Sequence, residues 1–328
     1  WDHYADQHPA ASIYHLTPWR QVIQQCFGHL SYYYYAHNAD GRMIGILPLV
    51  RLRSRLFGDF MVSMPYFNYG GAIADHPAIE EALIQYANKQ ASALKLDHIE
   101  YRDDISRPDT PERTNKVNMI LALPADEASL WQSFSPKLRS QIRRPQRENT
   151  RTQQGGMELL DDFYTVFARN MRDLGTPVYS KDFFATILRT FPDQASLLTV
   201  YLGGRAVAGA FLIGYKQRLE IPWASTVRNA NALSVTMLMY WEVLRFAIRN
   251  KYTSFDFGRS SVDSGTYKFK KQWGAQPRQL YWHYWLDGRE MPSLNPNNPK
   301  YRLMINIWKK LPIWVTRMIG PPIVKNLP

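Results

Sequence analysis

The sequence predicts a mixed α/β (α+β) protein whose two halves are built alike. Three observations predict it. Each half runs through strands, one amphipathic helix and then further strands. Each half holds a short turn suited to a hairpin, Asp40-Gly41 in the first and Gly203-Gly204 in the second. Each half also holds a long segment with apolar residues at helical spacing.

In the first half, SYYYYAHNADGRMIGILPLVRLRS reads as two strands around Asp40-Gly41. MVSMPYFNYGGAIA is a further extended segment. From His76 to Leu96, residues Ile79, Leu83, Tyr86, Ala87, Ala91 and Leu94 form an apolar stripe. DHIEYRDD is a short strand, and KVNMILALP closes this half.

The second half opens with a helical stretch from Asp126 to Glu148, interrupted near Pro145. MELLDDFYTVFARNMRD and SKDFFATILRTF are two more amphipathic helices. LLTVYLGGRAVAGAFLIGYKQRLEIPWAS gives three strands, and Gly203-Gly204 suits the first turn because both positions tolerate positive φ. ALSVTMLMYWEVLRFAIRNK sets Leu233, Met237, Tyr240, Leu244 and Ile248 on one helical stripe. SFDFGRS and QLYWHYWL are strands. The expected division is residues 1–124, 125–290 and a tail from 291 to 328. The tail starts rich in Pro and Asn and turns apolar and basic, so it either packs on the body or touches a membrane surface. Pro312 and Pro321-Pro322 interrupt its helix and favour packing.

Composition narrows the function. A 45% hydrophobic content over 328 residues supports a real core. The formal charge of +12 favours anionic partners: nucleic acid, phosphorylated carriers, cofactor phosphates or an acidic membrane. One cysteine, Cys26, excludes an intrachain disulfide and fits a reducing compartment; its apolar neighbours suggest a core thiol. No run of ~18 apolar residues marks a membrane span. WDHYADQHPAAS lacks the basic-then-apolar pattern of a signal peptide. A cytoplasmic protein, with peripheral contact at the inner membrane open to it, is the expectation. There is no GxxxxGK[ST], no GxGxxG after a strand and no GxSxG. The eight histidines show no ligand spacing, so neither a metal nor a cofactor is expected. Stable DNA binding is not expected either. What remains is transfer chemistry through positioning and electrostatics.

The richest stretch is FDFGRSSVDSGTYKFKKQWGA, Phe255 to Ala275. A strand ends in Asp256, Gly258 and Arg259, at the carboxyl end where open α/β sheets build ligand sites. Ser260 and Ser261 either donate to an anion or cap the turn. Beyond them, Tyr267, Phe269 and Trp273 are interleaved with Lys268, Lys270 and Lys271. In a helix, Tyr267 and Lys271 share one face and Phe269 and Trp273 another, while Lys268 and Lys270 point apart. The lysines are either a solvated face or a grip on an anion.

A second basic block, SPKLRSQIRRPQRENTR, holds Lys137, Arg139, Arg143, Arg144, Arg147 and Arg151 against one acid, Glu148. Arg139 and Arg143 at i, i+4 repel by ~0.2–0.5 kcal/mol, a cost that a bridging anion would offset. A solvated face is the alternative. In EIPWASTVRNANALSVTM, Glu220 is a candidate pocket carboxylate and general base, or else an edge-strand Glu. Asn170, Asp173 and Tyr179 form a polar cluster leading out of a helix.

These motifs together resemble the FemAB/FemX-like transferases. FDFGRSSVDSGTYKFKKQWGA is similar to that family's strand ending Asp-Phe-Gly-Gly followed by Gly-x-Tyr-x-Phe-Lys-x-x-Phe-Gly, and TMLMYWEVLRFAIRNK to its Leu-Leu-x-Trp helix. More narrowly, SPKLRSQIRRP, ARNMRDLGTPVYS, EIPWAS, FDFGRSS and the NPKY and LP tail resemble the FemAB-related proteins linked to exosortase/PEP-CTERM systems. The resemblance covers nearly the whole chain. It implies two tandem GNAT-like (acyl-CoA N-acyltransferase-like) subdomains with mixed sheets. It also implies aminoacyl transfer from aminoacyl-tRNA to a peptidoglycan precursor or, in the PEP-CTERM setting, to an exopolysaccharide precursor. The family's lysine falls on Lys270, which would hold the acyl carbonyl or an acceptor phosphate, with Tyr267 and Trp273 shaping the groove. Arg259, Asp256 and Glu220 complete the expected catalytic set. Lys268, Lys271, Ser260, Ser261, Trp223, Tyr240, Arg228, Arg139, Arg143, Arg144, Asn170, Asp173 and Tyr179 are expected to bind substrate.

The chain departs from the pattern in three places. Arg259 stands for the family's second glycine, and no coiled-coil arm is visible. RNANAL replaces the [Q/R]-x-x-G-x-[G/A] that a coenzyme-A enzyme carries, with Asn231 and Leu233 where small residues would let amides close on a pyrophosphate. The expected partner is therefore an anionic donor or substrate: aminoacyl-tRNA, a lipid- or nucleotide-linked precursor, or acyl-CoA. The alternatives are an acyl-CoA-dependent N- or O-acyltransferase and a non-catalytic polyanion- or membrane-binding accessory protein.

Overall fold

The computed structural model describes residues 1–54, 57–107, 109–291 and 299–327. The chain forms two compact units. One comprises Trp1–Val117, Arg278–Leu294 and Lys325–Pro328; the other comprises Asn118–Pro277 and Asn295–Val324.

The first unit begins with α1 (Asp2–Gln7) and α2 (Pro18–Phe27), followed by β1 (Leu30–His37) and β2 (Met43–Ser54). The β1–β2 hairpin turns at the expected place, with Gly41 at φ +76°. Next come β3 (Gly58–Val62), β4 (Ile73–Ala74), α3 (Pro77–Ala93), β5 (His98–Asp103) and β6 (Glu112–Arg113). β3 and β5 are parallel, a pairing that needs a crossover, and α3 supplies it. α3 buries Leu83, Ile84, Ala87 and Ala91 on the sheet beside Leu47, Met61 and Ile99. Tyr86 and Leu94 of the expected stripe instead face solvent, because the sheet covers only a narrow arc of the helix. Cys26 is half-buried rather than a core thiol.

The second unit contains β7 (Val117–Ala122), α4 (Glu127–Ser133), α5 (Pro136–Gln146), β8 (Thr150–Gly155), α6 (Leu160–Leu174) and α7 (Lys181–Thr190). It continues with β9 (Ala195–Leu202), β10 (Arg205–Tyr215), β11 (Arg218–Thr226), a 3₁₀ turn (Arg228–Leu233), α8 (Val235–Arg249), β12 (Ser254–Ser260), α9 (Gly265–Lys271) and β13 (Gln276–Gln279). The sheet runs β13-β7-β12-β11-β10-β9-β8. Gly203 and Gly204 both take positive φ in the β9–β10 turn, as expected. β11 and β12 are parallel, with α8 as the crossover. Phe163, Phe167, Phe184, Phe211 and Trp223 interlock at the centre, with Phe184 and Trp223 at 5.1 Å and 90°. A Cβ at Gly209 would come to 3.0 Å of the Phe163 ring, so that glycine lets α6 lie close on β10.

β14 (Tyr281–Leu286) returns to the first sheet, whose order is β1-β2-β3-β5-β14-β6 with β4 on β2. The tail holds α10 (Pro299–Trp308) and α11 (Ile313–Val324), both assigned to the second unit.

Three expectations need correction. KVNMILALP does not close the first sheet: as β7 it flanks β12 in the second. QLYWHYWL does not stay with the second half: as β14 it pairs antiparallel with β5, Tyr281 opposite Asp103 through Leu286 opposite His98. In both cases the strand next to the parallel pair comes from the far side of the chain, which element order cannot reveal. The basic helix breaks at Phe134-Ser135 rather than at Pro145. Ser135 Oγ accepts from Leu138 N–H at 3.2 Å and Pro136 opens the new helix, while Pro145 stands in its last turn. β8 was not anticipated, because TRTQQG is a polar edge strand with no apolar alternation.

Candidate active site

The site begins with a proline in the middle of a sheet. Pro222 lies in β11, a central strand, yet it has no N–H to give a ladder. The β10–β11 register slips there: Phe211 faces Trp223 and Ile213 faces Glu220, leaving Ile221 and Pro222 against Leu212 alone. This is a β-bulge, which bends its strand. The consequence appears on the other edge. β11 pairs with β12 at Arg218–Ser254, Leu219–Phe255 and Glu220–Asp256, and the pairing ends there although both strands run on. The two strands therefore part from Glu220 and Asp256 outward, and a wedge opens between them.

Glu220 and Asp256 are register partners, so their side chains share a face at the vertex. Both are buried. Glu220 is thus a central-strand carboxylate, not an edge-strand one. Asp256 is fully enclosed: its Oδ1 accepts from Gly258 N–H at 2.7 Å, and Asn118 Nδ2 donates to Oδ2 at 3.5 Å. That first bond fixes Gly258 at φ +74°, a left-handed conformation that suits glycine. The reversal turns the carbonyls of Gly258 and Arg259 toward α9.

Lys270 meets them. Ser264 caps α9, its Oγ accepting from Tyr267 N–H at 3.2 Å, which sets the helix phase. Lys270 then points inward, and its Nζ donates to Gly258 O and to Arg259 O, each at 2.9 Å. Of the three lysines on α9, only Lys270 is buried. Burial pushes its pKa down to about 8; the Asp256 carboxylate partly holds it up and the Arg259 guanidinium adds to the fall. An ammonium has three donors, and these two bonds use two of them. Ser260 Oγ, buried next to Arg259, has no hydrogen-bond partner among the described residues.

The remaining expected residues fall into separate groups. Lys268 and Lys271 are exposed, and Lys271 lies over the Tyr267 ring at 6.0 Å, on the shared face foreseen for them. Arg259 is exposed beside the wedge, and Ser261 is half-buried with its backbone carbonyl accepting from Ser264 Oγ at 2.7 Å. Asn170 Nδ2 donates to Ser225 Oγ at 3.1 Å and Arg228 Nη2 to Asp173 O at 2.8 Å, so this polar cluster pins α6 to the end of β11. Arg143 lies over the Trp131 ring at 5.1 Å, while Arg139 and Arg144 sit with it on α5, Arg144 exposed and Arg139 half-buried.

Three of the rings expected to line the groove are buried. Trp273 is 1% exposed and packs edge-on to Phe134 at 5.3 Å, making it a core ring. Tyr240 is buried against Phe257 at 5.5 Å and Phe269 at 5.1 Å. Trp223 belongs to the phenylalanine cluster, and the half-buried Tyr179 packs edge-on against it at 5.9 Å. Large rings in a basic segment fill the space beneath it before they reach a ligand. Sequence reasoning missed Asn118, whose only signal is a polar residue inside the apolar run VNMILA.

At the start of α8 the RNANAL segment coils on itself. Ala230 N–H donates to Val227 O at 3.0 Å, Ser234 N–H to Asn231 O at 3.0 Å and Met237 N–H to Ser234 O at 2.8 Å. Ser234 takes φ +60°, a strained value for a non-glycine residue. The amides of Ala230, Ser234 and Met237 are thus bonded inside the turn. Among the described residues no cluster of His, Cys, Asp and Glu suits a metal ion, and no helix is long and apolar enough to cross a membrane.

Comparison with known proteins agrees with this fold. Residues 136–271, which hold α5 through α9 and the wedge, match the acetyltransferase (GNAT) domain. No curated protein matches the chain. Among solved structures, FemX is 15% identical with a TM-score of 0.66, covering 93% of this chain and 97% of FemX. The C-terminal domain of a putative lysylphosphatidylglycerol synthetase from Agrobacterium fabrum is 10% identical with a TM-score of 0.55, covering 81% of this chain and 86% of that one. A tandem GNAT protein from the clavulanic acid biosynthesis pathway is 12% identical with a TM-score of 0.50, covering 80% and 85%. At these identities the likeness is one of fold. The fold is mixed α/β with two mixed sheets and is GNAT-like, and residues 136–271 carry a GNAT-type acyltransferase domain.

Proposed function

We propose that the chain transfers an aminoacyl group from an activated ester to an amine or hydroxyl on a cell-envelope or exopolysaccharide precursor. One observation carries this: a buried lysine, Lys270, is tethered to the two carbonyls at the mouth of the wedge. The acceptor's nitrogen or oxygen attacks the ester carbonyl. A new C–N or C–O bond forms, the bond to the donor's ribose oxygen breaks, and the acceptor's proton passes to a carboxylate or to the departing oxygen. Negative charge develops on the carbonyl oxygen, and the third N–H of Lys270 is the donor assigned to stabilise it. Glu220, at the vertex, is the carboxylate assigned to the proton. Asp256 acts as a positioning residue, because both its oxygens face protein donors.

The RNANAL turn supports aminoacyl-tRNA over acyl-CoA as donor, since Asn231 and Leu233 stand where small residues would let amides close on a pyrophosphate. The arginines of α5 suit a polyanion such as tRNA. The narrower resemblance to exosortase/PEP-CTERM-linked proteins supports an envelope glycan or exopolysaccharide precursor as acceptor. A second reading, transfer from acyl-CoA, is favoured by the acetyltransferase domain match itself.

The test is mass spectrometry of envelope glycans and lipid-linked precursors from cells with and without this protein. The proposal predicts a species heavier by one aminoacyl residue only where the protein is present. An acetyl increment would select the second reading, and identical spectra would end both.

A further inference from the structure

The tail carries a surface of a different kind. An ordinary surface helix buries its large apolar residues and exposes small and polar ones; α11 does the reverse. Its buried stripe is Thr316, Gly320 and Val324. Gly320 lies against Val178, where an added Cβ would come to 2.9 Å of the backbone N and of Cγ1. Its outward stripe, at the same i, i+4 spacing, is Trp314, Met318 and Pro322, with Trp314 67% and Met318 63% exposed. On α10, Trp308 is buried but Leu303, Met304 and Ile307 face solvent, each more than half exposed.

Charge says what such a face fits. No Asp or Glu follows Glu290, whereas Lys300, Arg302, Lys309, Lys310, Arg317 and Lys325 do. Lys309 and Lys310 are exposed at the junction between the two helices. Arg317 is turned back over the Tyr164 ring at 5.1 Å. Large apolar side chains including a tryptophan, bordered by lysines and free of acids, match the headgroup–acyl boundary of an anionic bilayer. A second copy of the chain fits less well. A two-fold interface sets the same patch against itself, and these lysines would meet no acid.

We propose that the outward face of α10 and α11 docks on an anionic lipid surface, with Trp314, Met318, Leu303, Met304 and Ile307 entering the boundary region and Lys309 and Lys310 meeting lipid phosphates. This stands on the tail alone and does not depend on the catalytic reading.

The experiment is flotation of the full-length chain with vesicles of phosphatidylcholine alone or mixed with phosphatidylglycerol, at low and high salt. The protein should float with the mixed vesicles, with binding weakened by salt and by removal of phosphatidylglycerol. Trp314→Glu with Met318→Glu should cut that binding by roughly tenfold or more. Both side chains are exposed, so circular dichroism and the melting temperature should stay unchanged, separating lost docking from lost folding. Failure to float, or equal flotation of the double variant, overturns the proposal. So would a dimer in lipid-free light scattering that the same double variant dissolves, which would assign the face to a second copy.

Discussion

Lys270 has a titration the site can be tested by. Burial has lowered its pKa to about 8, against ~10.4 for a free lysine. Below pH 8 the ammonium is present, and as pH rises through 8 it is lost. If that ammonium stabilises the oxyanion, the turnover rate should fall on the alkaline side with a midpoint near 8, read from a pH–rate profile. Lys270→Met should lower kcat by about 10²–10³-fold while the circular dichroism spectrum is kept. Asp256 has a different duty. Asp256→Ala leaves the Gly258 N–H without its acceptor and should cost about 1–3 kcal/mol in urea unfolding, with the glycine turn loosened. At this scale the sequence reads unevenly. Periodicity showed that the three lysines of α9 point different ways, but which one faces inward depends on the Ser264 cap and on the reversal at Gly258. Asn118 arrives from a strand distant in sequence, so no local pattern links it to Asp256.

At the scale of elements, one proline explains the opening. Pro222 produces the bulge, the bulge bends β11 away from β12, and the wedge starts where pairing ends. The strands, hairpins and crossover helices were readable from alternation, glycine turns and helical stripes, because each depends on residues close in sequence. The wedge was not, because it depends on three strands at once. The α8 entrance gives two predictions. Titration calorimetry with acetyl-CoA should show no binding tighter than about 1 mM, since Asn231 and Leu233 replace the small residues that let amides close on a pyrophosphate. Ser234→Gly should stabilise the fold by up to ~1 kcal/mol, because glycine holds φ +60° without strain; an unchanged melting temperature would mean that the residue carries no such strain.

At the scale of the whole molecule, the tandem plan was visible as two similar runs of elements, but the membership of β7 and β14 was not. Each completes a sheet in the unit opposite to the one its place in the chain suggests. A chain that starts one sheet, builds a second and returns to the first hides this from any linear reading. The +12 charge is also a whole-molecule property. If tRNA is the donor, its affinity should fall steeply and linearly with log salt, as counterion release requires. An affinity indifferent to salt would exclude a polyanionic donor.

The most direct measurement compares envelope material from cells producing the unaltered chain and the Lys270→Met variant at equal levels, by mass spectrometry. The account predicts a precursor heavier by one transferred group with the unaltered chain and its loss with the variant. An equal amount of that heavier species in both would contradict it, because the tethered lysine at the wedge would then play no part in the transfer.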